Sequence, residues 1–370
     1  MVLKQIELQN FRLHKDTSLN FSDKLNLIVG GNGQGKTSIL EAIYYLSTTK
    51  NLNLASENDV IMFGEQFFDA KGYFSDLTEN STRIFFDSSK GKKNFYLDGK
   101  QVFNSASIIG KFPIVSLIQS DHAITQGSPA ERRRFVDSVI SQASRTYLEI
   151  LLEYNKILKQ RSSLLTQIKE SRNQNLYGQL DAWTESMIIS GTEIIKHRQN
   201  FVTEFNGFLK ESYNQIIEGA EEPKIIYDSS CCSEQENISE IFREELNSRR
   251  EDELRRGVNL TGPHRDDFIF SINELELKRF GSQGQHKTFQ IALRFGQFFF
   301  IKEKLGKTPI FLMDDVFGEL DVYRSGRISS YLAKIGQAFI TMTDLTKTEG
   351  LDVGKENLLI KVNNGKAAYA

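Results

Sequence analysis

Gly30-Gly31-Asn32-Gly33-Gln34-Gly35-Lys36-Thr37 has the spacing G-x-x-x-x-G-K-T, and each residue type in it suits a phosphate group. Glycines let the backbone wrap closely, so that its N–H groups and the N-terminus of a following helix point at phosphate oxygens. Lys36, expected on a solvent-facing turn, brings a positive charge to the β- and γ-phosphates of a nucleotide, and the Thr37 hydroxyl suits Mg2+. A second run, Ile310-Phe311-Leu312-Met313-Asp314-Asp315, reads as an apolar strand ending in acid. Asp314 is placed to hold Mg2+ through water, and Asp315 to orient or deprotonate an attacking water. An apolar strand ending in two aspartates is common by itself, and the phosphate loop gives this one its meaning. ATP and Mg2+ are the expected cofactors.

Phe280-Gly281-Ser282-Gln283-Gly284-Gln285 precedes a helical stretch and resembles the signature motif of ATP-binding-cassette ATPases. A serine hydroxyl and glycine N–H groups at a helix start make a second anion site. Read without its context, the segment is only a flexible loop. In the class it resembles, one chain does not present both sites to the same nucleotide. The resemblance therefore implies that Ser282, Gln283, Gly284 and Gln285 act on a γ-phosphate held by a second copy, in an ATP-dependent homodimer. Gly318-Glu319-Leu320-Asp321 resembles the loop that crosses that dimer interface.

Several further segments fall into one pattern. An Asn10-Phe11-Arg12 start, the phosphate loop, a Thr261-Gly262-Pro263-His264-Arg265-Asp266-Asp267 segment, the Ser-x-Gly-Gln signature and the Asp-Asp-Val-Phe strand end together resemble the RecF family. These are bacterial recombination mediators related to the chromosome-maintenance and Rad50 ATPases. The resemblance implies a clamp that dimerises on ATP, binds duplex DNA at gaps or single/double-strand junctions, and works with RecR and RecO to load the RecA recombinase. It also implies a weak, DNA-stimulated ATPase, with Arg12 and Ser38 among the ATP contacts.

Two positions depart from the wider class, which usually has Glu where this chain has Asp315 and a histidine after the last strand where this chain offers Thr343 or Asp344. The shorter Asp315 suits slow, switch-like hydrolysis. Gln119, following the apolar run Val115–Ile118, is the candidate for the glutamine that reaches Mg2+. Arg132, Arg133 and Arg134 are candidate DNA contacts, as are Lys92 and Lys93 beside Lys90 and Arg83. A charge run is usually a solvated face, and Arg249, Arg250, Arg255 and Arg256 alternate with acids. His264 has no Cys or His at ligand spacing, so a metal role is not expected.

These loops need an architecture to hold them. The 370 residues, 39% hydrophobic, can build two domains or one large domain with an insertion. A net charge of −2 gives no support to a wholesale polyanion binder, so a nucleic-acid surface must be a local basic patch. The neighbouring Cys231 and Cys232 give neither a disulfide framework nor a zinc cage, which points to a reducing compartment. No signal-peptide layout opens the chain and no apolar run approaches the roughly 20 residues of a membrane span, so a cytoplasmic protein without a membrane partner is expected. The expected fold is α/β: an ATP-binding-cassette-type head in two parts, 1–128 and 257–370, with a helical arm inserted at 129–256. Strands are expected at 2–9, 25–29, 113–118, 309–313 and 337–342, with short alternating runs over 67–103. In the arm, Leu151, Tyr154, Leu158, Leu165 and Ile168 follow helical spacing with Arg161 in one core slot. After a break at 171–175, Leu180, Trp183, Met187, Ile194 and Phe201 resume it, giving an antiparallel pair of helices of about 40 residues each. The last 20 or so residues carry no motif.

An ABC-transporter ATPase subunit shares the three motifs, but the arm and the Asn-Phe-Arg start argue against it. The signature argues against a phosphate-loop kinase, and no further carboxylate cluster supplies a nuclease.

Overall fold

The alternation at the N-terminus runs further than expected. Strand β1 (Val2–Phe11) buries Leu3, Ile6 and Leu8 and turns through Arg12 (φ 54°) into β2 (His14–Asn20), which the sequence did not announce. The computed structural model describes residues 1–52, 56–219, 221–229, 237–319, 321–332, 334–344 and 356–370, and Cys231, Cys232 and Leu320 lie outside them. The apolar run Leu25–Val29 is β3, and the glycine loop after it opens α1 (Lys36–Thr48), followed by a short α2 (Glu57–Val60). The alternating runs are β4 (Phe67–Ser75), β5 (Glu79–Asp87), β6 (Lys92–Leu97) and β7 (Lys100–Val102). Asp98 (φ 49°) and Gly99 (φ 74°) form the two-residue turn that sets Leu97 opposite Lys100, the geometry an Asp-Gly pair favours. Strands β2-β1-β4-β5-β6-β7 make an antiparallel sheet whose inner face buries Phe68, Ala70, Phe74, Ile84, Phe86 and Phe95. β8 (Ile114–Leu117) follows.

The helical region is α3 (His122–Gln126), α4 (Pro129–Ala143), α5 (Arg145–Ser171) and α6 (Tyr177–Ile216). The first expected long helix is thus two: Ser144 takes an extended backbone and its hydroxyl accepts the N–H of Tyr147, which starts α5 anew. The second has 40 residues, as the spacing predicted. Leu164, Leu165 and Ile168 of α5 pack on Leu180, confirming the antiparallel hairpin. Arg161 does occupy a core slot, where it bonds Glu253, Asn259 and the Thr184 hydroxyl.

Beyond the hairpin the spacing predicts helix to 256, and the structure instead has a strand there. β9 (Pro223–Asp228) precedes α7 (Ile238–Arg256), and β9 pairs with β10 (Asp267–Ile272), which pairs with β11 (Leu275–Glu276) ahead of the short α8 (Leu277–Phe280). The chain divides into two compact units, one of residues 1–121, 211–219 and 288–370, the other of 122–210 and 220–287. The insertion therefore extends past the expected boundary at 256, because β10 belongs to the sheet that β9 begins.

The remaining elements are α9 (Gln283–Leu305), β12 (Ile310–Asp314), α10 (Val322–Leu332), β13 (Ala338–Met342), β14 (Leu358–Asn363) and β15 (Lys366–Tyr369). The last two occupy the stretch that carried no motif. The sheet order β15-β14-β3-β13-β12-β8 interleaves strands from both ends of the sequence, all parallel except β15. A parallel sheet must be covered on its faces, which is why β12 reads as an unbroken apolar run. Ile39, Leu40, Ile43 and Leu46 of α1 join one core with Ile114, Leu312 and Phe339. Phe311 stacks on Phe295 of α9 at 5.0 Å. Burying each such ring contributes about 1.5–3 kcal/mol. Among the described residues no helix is long and apolar enough to cross a membrane.

Candidate nucleotide-binding site

The parallel register sets Met342 of β13 opposite Val29 of β3, and Thr341 opposite Asp314 of β12. Three strands therefore end on one edge, the carboxyl edge at which open α/β sheets bind ligands. The phosphate loop leaves β3 there. Gly30 has no room for a side chain, since a Cβ would lie 2.3 Å from the Val362 carbonyl oxygen. Gly35 caps α1 with φ 106°, a conformation that favours glycine.

Lys36 is not on a solvent-facing turn. It is 6% exposed, and its Nζ donates to the carbonyls of Gly30 and Gly31 at 2.7 and 2.9 Å. The Thr37 hydroxyl donates to Oδ1 and Oδ2 of Asp314 at 2.9 and 3.0 Å, and the Thr341 hydroxyl donates to Oδ1 at 2.6 Å. A hydroxyl and a carboxylate in contact are hard oxygen donors of the kind Mg2+ takes together with phosphate oxygens and waters. Among the described residues no group of three or more acidic, His or Cys side chains forms a metal cage, so an ion here must draw further ligands from nucleotide or solvent. Asp315 follows the strand with φ 49°, its N–H held by the Thr341 hydroxyl at 3.0 Å. Gln119 lies just beyond β8, which pairs with β12, and is exposed. Thr343 and Asp344 follow β13 and are exposed, while Ser38 is half-buried in the first turn of α1.

Two contributors were not legible in the sequence. The hairpin of β14 and β15 clasps the phosphate loop: the Asn364 N–H donates to Oε1 of Gln34 at 2.7 Å, and the Gly365 N–H to its carbonyl at 2.9 Å. His14, fully buried, sits at 3.0 Å through Nε2 from the Gly35 carbonyl and at 3.1 Å through Nδ1 from the Thr17 hydroxyl. Burial lowers its pKa. Arg12, expected on ATP, is engaged elsewhere: it forks onto Glu41 of α1 at 2.8 and 3.1 Å and donates to the Asp59 carbonyl at 2.6 Å.

The signature lies in the second compact unit and has a local logic of its own. Ser282 and Gln285 form a reciprocal cap, the Gln285 N–H donating to the serine hydroxyl at 3.2 Å and the Ser282 N–H to Oε1 of Gln285 at 2.9 Å. Nε2 of Gln285 donates to Glu221 at 2.8 Å. Gln285 is thus a brace, while Ser282 and Gln283 are exposed and Gly284 is half-buried. Asp321, in the first unit, starts α10 by accepting the Arg324 N–H at 2.8 Å, and this backbone bond is the main reason that its carboxyl titrates below the usual range.

The candidate DNA contacts separate. Arg132 is buried and grips Asp267 through two bonds of 2.7 Å, and Arg133 donates to the Asp266 carbonyl. Lys93 bonds Glu57 at 2.6 Å and lies 5.1 Å from the centre of the Tyr45 ring. For Arg132 the expectation is corrected, because it is buried against Asp267, whereas Lys93 is half-buried beside Glu57. Arg134, paired with Glu131 at 2.7 Å, and Lys92 remain exposed. His264 is structural, bonding the Tyr154 hydroxyl through Nδ1 at 2.8 Å, and its pKa is lowered to about 3 by burial and by Arg265.

Comparison with known proteins places this geometry. The RecF/RecN/SMC N-terminal domain family matches residues 2–365. The DNA replication and repair protein RecF of Chloroherpeton thalassium is 39% identical over 93% of this chain and 95% of its own length. A solved structure of the recombination mediator protein RecF with ATP, in the RecFOR pathway, superposes with a TM-score of 0.90 at 30% identity, covering 100% of this chain and 97% of that one. An Smc head bound to the C-terminal winged-helix domain of ScpA gives a TM-score of 0.59 at 15% identity over 100% and 97% of the two chains, a likeness of fold alone. The fold is that of an ATP-binding-cassette-type ATPase head, and the chain belongs to the RecF family.

Proposed function

We propose that the chain is an ATP-operated DNA clamp for recombinational repair. The observation that carries the reading is the bonding of the Thr37 hydroxyl to both oxygens of Asp314, 277 positions apart in sequence. Residues 30–37 and Ser38 wrap the phosphates, and Lys36 exchanges its loop carbonyls for phosphate oxygens. Thr37 and Asp314, with Gln119 at the neighbouring strand end, would hold Mg2+, which would supply charge neutralisation to the phosphates. Asp315 takes the proton of the attacking water, and Thr343 or Asp344 reads the γ-phosphate. Ser282, Gln283 and Gly284 act on nucleotide held by a second copy, and Asp321 lies in the loop that meets that copy. Closure therefore needs ATP, and slow hydrolysis reopens the dimer.

The exposed, capped start of α9 supports the role in trans. The solved recombination mediator with ATP, in the RecFOR pathway, supports ATP as the cofactor and a place beside RecO and RecR, and the replication and repair relatives support DNA repair as the setting; gapped or junction DNA as the target, RecA loading as the purpose and the cytoplasm as the place rest on the resemblance of the motifs alone. The test is molecular mass in solution by light scattering, with and without ATP and a gapped duplex. The mass should double only with ATP, and the dimer should travel with the DNA. A monomer under every condition rejects the clamp.

A further inference from the structure

We propose that Thr341 is a positioning residue for ATP hydrolysis: its hydroxyl links the two neighbouring acids and holds each to its own task without touching nucleotide. The proposal rests on the reading of Asp314 as the Mg2+ partner and Asp315 as the base.

Thr341 lies on β13, the strand between β3 and β12, opposite Ile28 on one side and Asp314 on the other. It is fully buried, and in a strand of sequence Ala-Phe-Ile-Thr-Met it is the one polar side chain. Its hydroxyl oxygen lies 3.0 Å from the Asp315 backbone nitrogen and 2.6 Å from Oδ1 of Asp314. Chemistry fixes the direction of both bonds. A backbone N–H can only donate, so the hydroxyl oxygen accepts from Asp315. Its single proton then goes to the Asp314 carboxylate, at the short distance of a charge-assisted bond. A directed chain results, from the Asp315 N–H through the hydroxyl to Oδ1 of Asp314.

The two ends of this chain need different things. Asp315 stands at φ 49°, a left-handed conformation that a non-glycine residue keeps only where its surroundings enforce it. Thr341 grips the Asp315 N–H twice, through its hydroxyl at 3.0 Å and its carbonyl at 3.2 Å. At the other end, Asp314 also accepts from Thr37, but that hydroxyl is itself assigned to the ion. Thr341 is therefore the donor left to orient the carboxylate while Thr37 serves Mg2+. A partner that orients a metal ligand typically carries tenfold to hundredfold in metal affinity or activity. A valine would fill the same space in a buried strand and supply neither bond.

The experiment compares Thr341→Val, which keeps the shape and loses the hydroxyl, with Thr341→Ser, which keeps the hydroxyl. Asp314→Asn serves as the control for the site itself. ATP affinity by calorimetry, in EDTA and in Mg2+, is measured on full-length protein together with kcat and the melting temperature. Thr341→Val should fold, with a melting temperature lower by no more than about 4 °C, because the Asp315 N–H keeps the carbonyl bond. Its affinity for ATP in EDTA should match the parent's. In Mg2+ the affinity should be about tenfold weaker, and kcat should fall by about 10- to 100-fold. Thr341→Ser should recover most of both losses. A folded Thr341→Val with parent-like kcat or parent-like affinity in Mg2+ overturns the proposal, as does a loss of affinity equally large in EDTA, or a Thr341→Ser variant as defective as the valine. If Thr341→Val does not fold, Thr341→Cys, a weaker donor of similar size, is judged by the same criteria. If Asp314→Asn binds ATP in Mg2+ as the parent does, the reading of the site fails and this inference falls with it. Affinity in Mg2+ lost in Asp314→Asn but intact in Thr341→Val rejects the inference alone.

Discussion

Asp314 and Asp315 are neighbours in sequence and part company in the fold. Asp314 ends β12 with three hydroxyl bonds, while Asp315 is carried into a left-handed conformation by bonds from its own N–H to the side chain and carbonyl of Thr341. Such a conformation in a non-glycine residue costs on the order of 1–3 kcal/mol and is kept where its surroundings enforce it. We expect Asp315→Asn to retain ATP binding and dimerisation while hydrolysis slows by about 10²-fold or more, the scale of a positioned base. Single-turnover hydrolysis and the DNA off-rate, measured on the same variant, check this. A collapse of hydrolysis with an unchanged off-rate separates ATP cleavage from clamp opening. Residues whose chemistry depends on local spacing, such as Lys36, Thr37 and Asp314, could be read from the sequence. The partners of Arg12 and the burial of Lys36 could not, because Glu41 and the Gly30 and Gly31 carbonyls meet them only once the loop is wrapped.

The helical unit shows why a run of arginines is a poor guide to a binding surface. On α4, Arg132 points inward to Asp267 of β10, and two positions later Arg134 reaches Glu131 on its own helix. Removing one partner of a buried ion pair costs about 3–5 kcal/mol, whereas an exposed i,i+3 pair contributes at most about 1 kcal/mol. Arg132→Ala should therefore lower the melting temperature sharply, and Arg134→Ala should leave it almost unchanged while weakening DNA binding on any sequence. Calorimetry paired with DNA titration checks both; equal stability of the two variants would show that Asp267 is not the anchor it looks to be. Long elements with clear period, such as α6 and α9, were legible for the reason that their apolar stripe is repeated many times. The strands β9 and β14 were not. Each has 6 residues, and each is defined by pairing with a strand distant in sequence, β10 for one and β3 for the other.

Across the molecule, cations are largely answered by nearby acids. Arg83 is forked onto Asp69, Arg250 meets Asp181, and Arg243 meets Glu185. That distribution fits the net charge of −2, and of the candidate DNA contacts Arg134 and Lys92 remain exposed. Binding should still fall with salt, because each neutralised phosphate releases counterions, with a log–log slope of about −0.9 per contact on duplex DNA. We expect a slope of only a few units, present with ATP and absent without it. Fluorescence anisotropy over a salt series measures it, and binding indifferent to ATP would count against a clamp.

The clasp on the phosphate loop sets a schedule for synthesis. The Gln34 side chain is held by a backbone N–H 330 positions later, and β3 has both of its sheet neighbours, β13 and β14, supplied from beyond residue 337. At about 5–20 residues per second, the loop leaves the ribosome tens of seconds before the strands that support it exist. A nascent or prematurely terminated chain thus carries every letter of the glycine motif, with His14 and α1 beside it, but lacks the strands β13 and β14 that flank β3. A chain that stops before residue 338 should therefore bind ATP far more weakly than the full chain, which calorimetry on such a truncation checks.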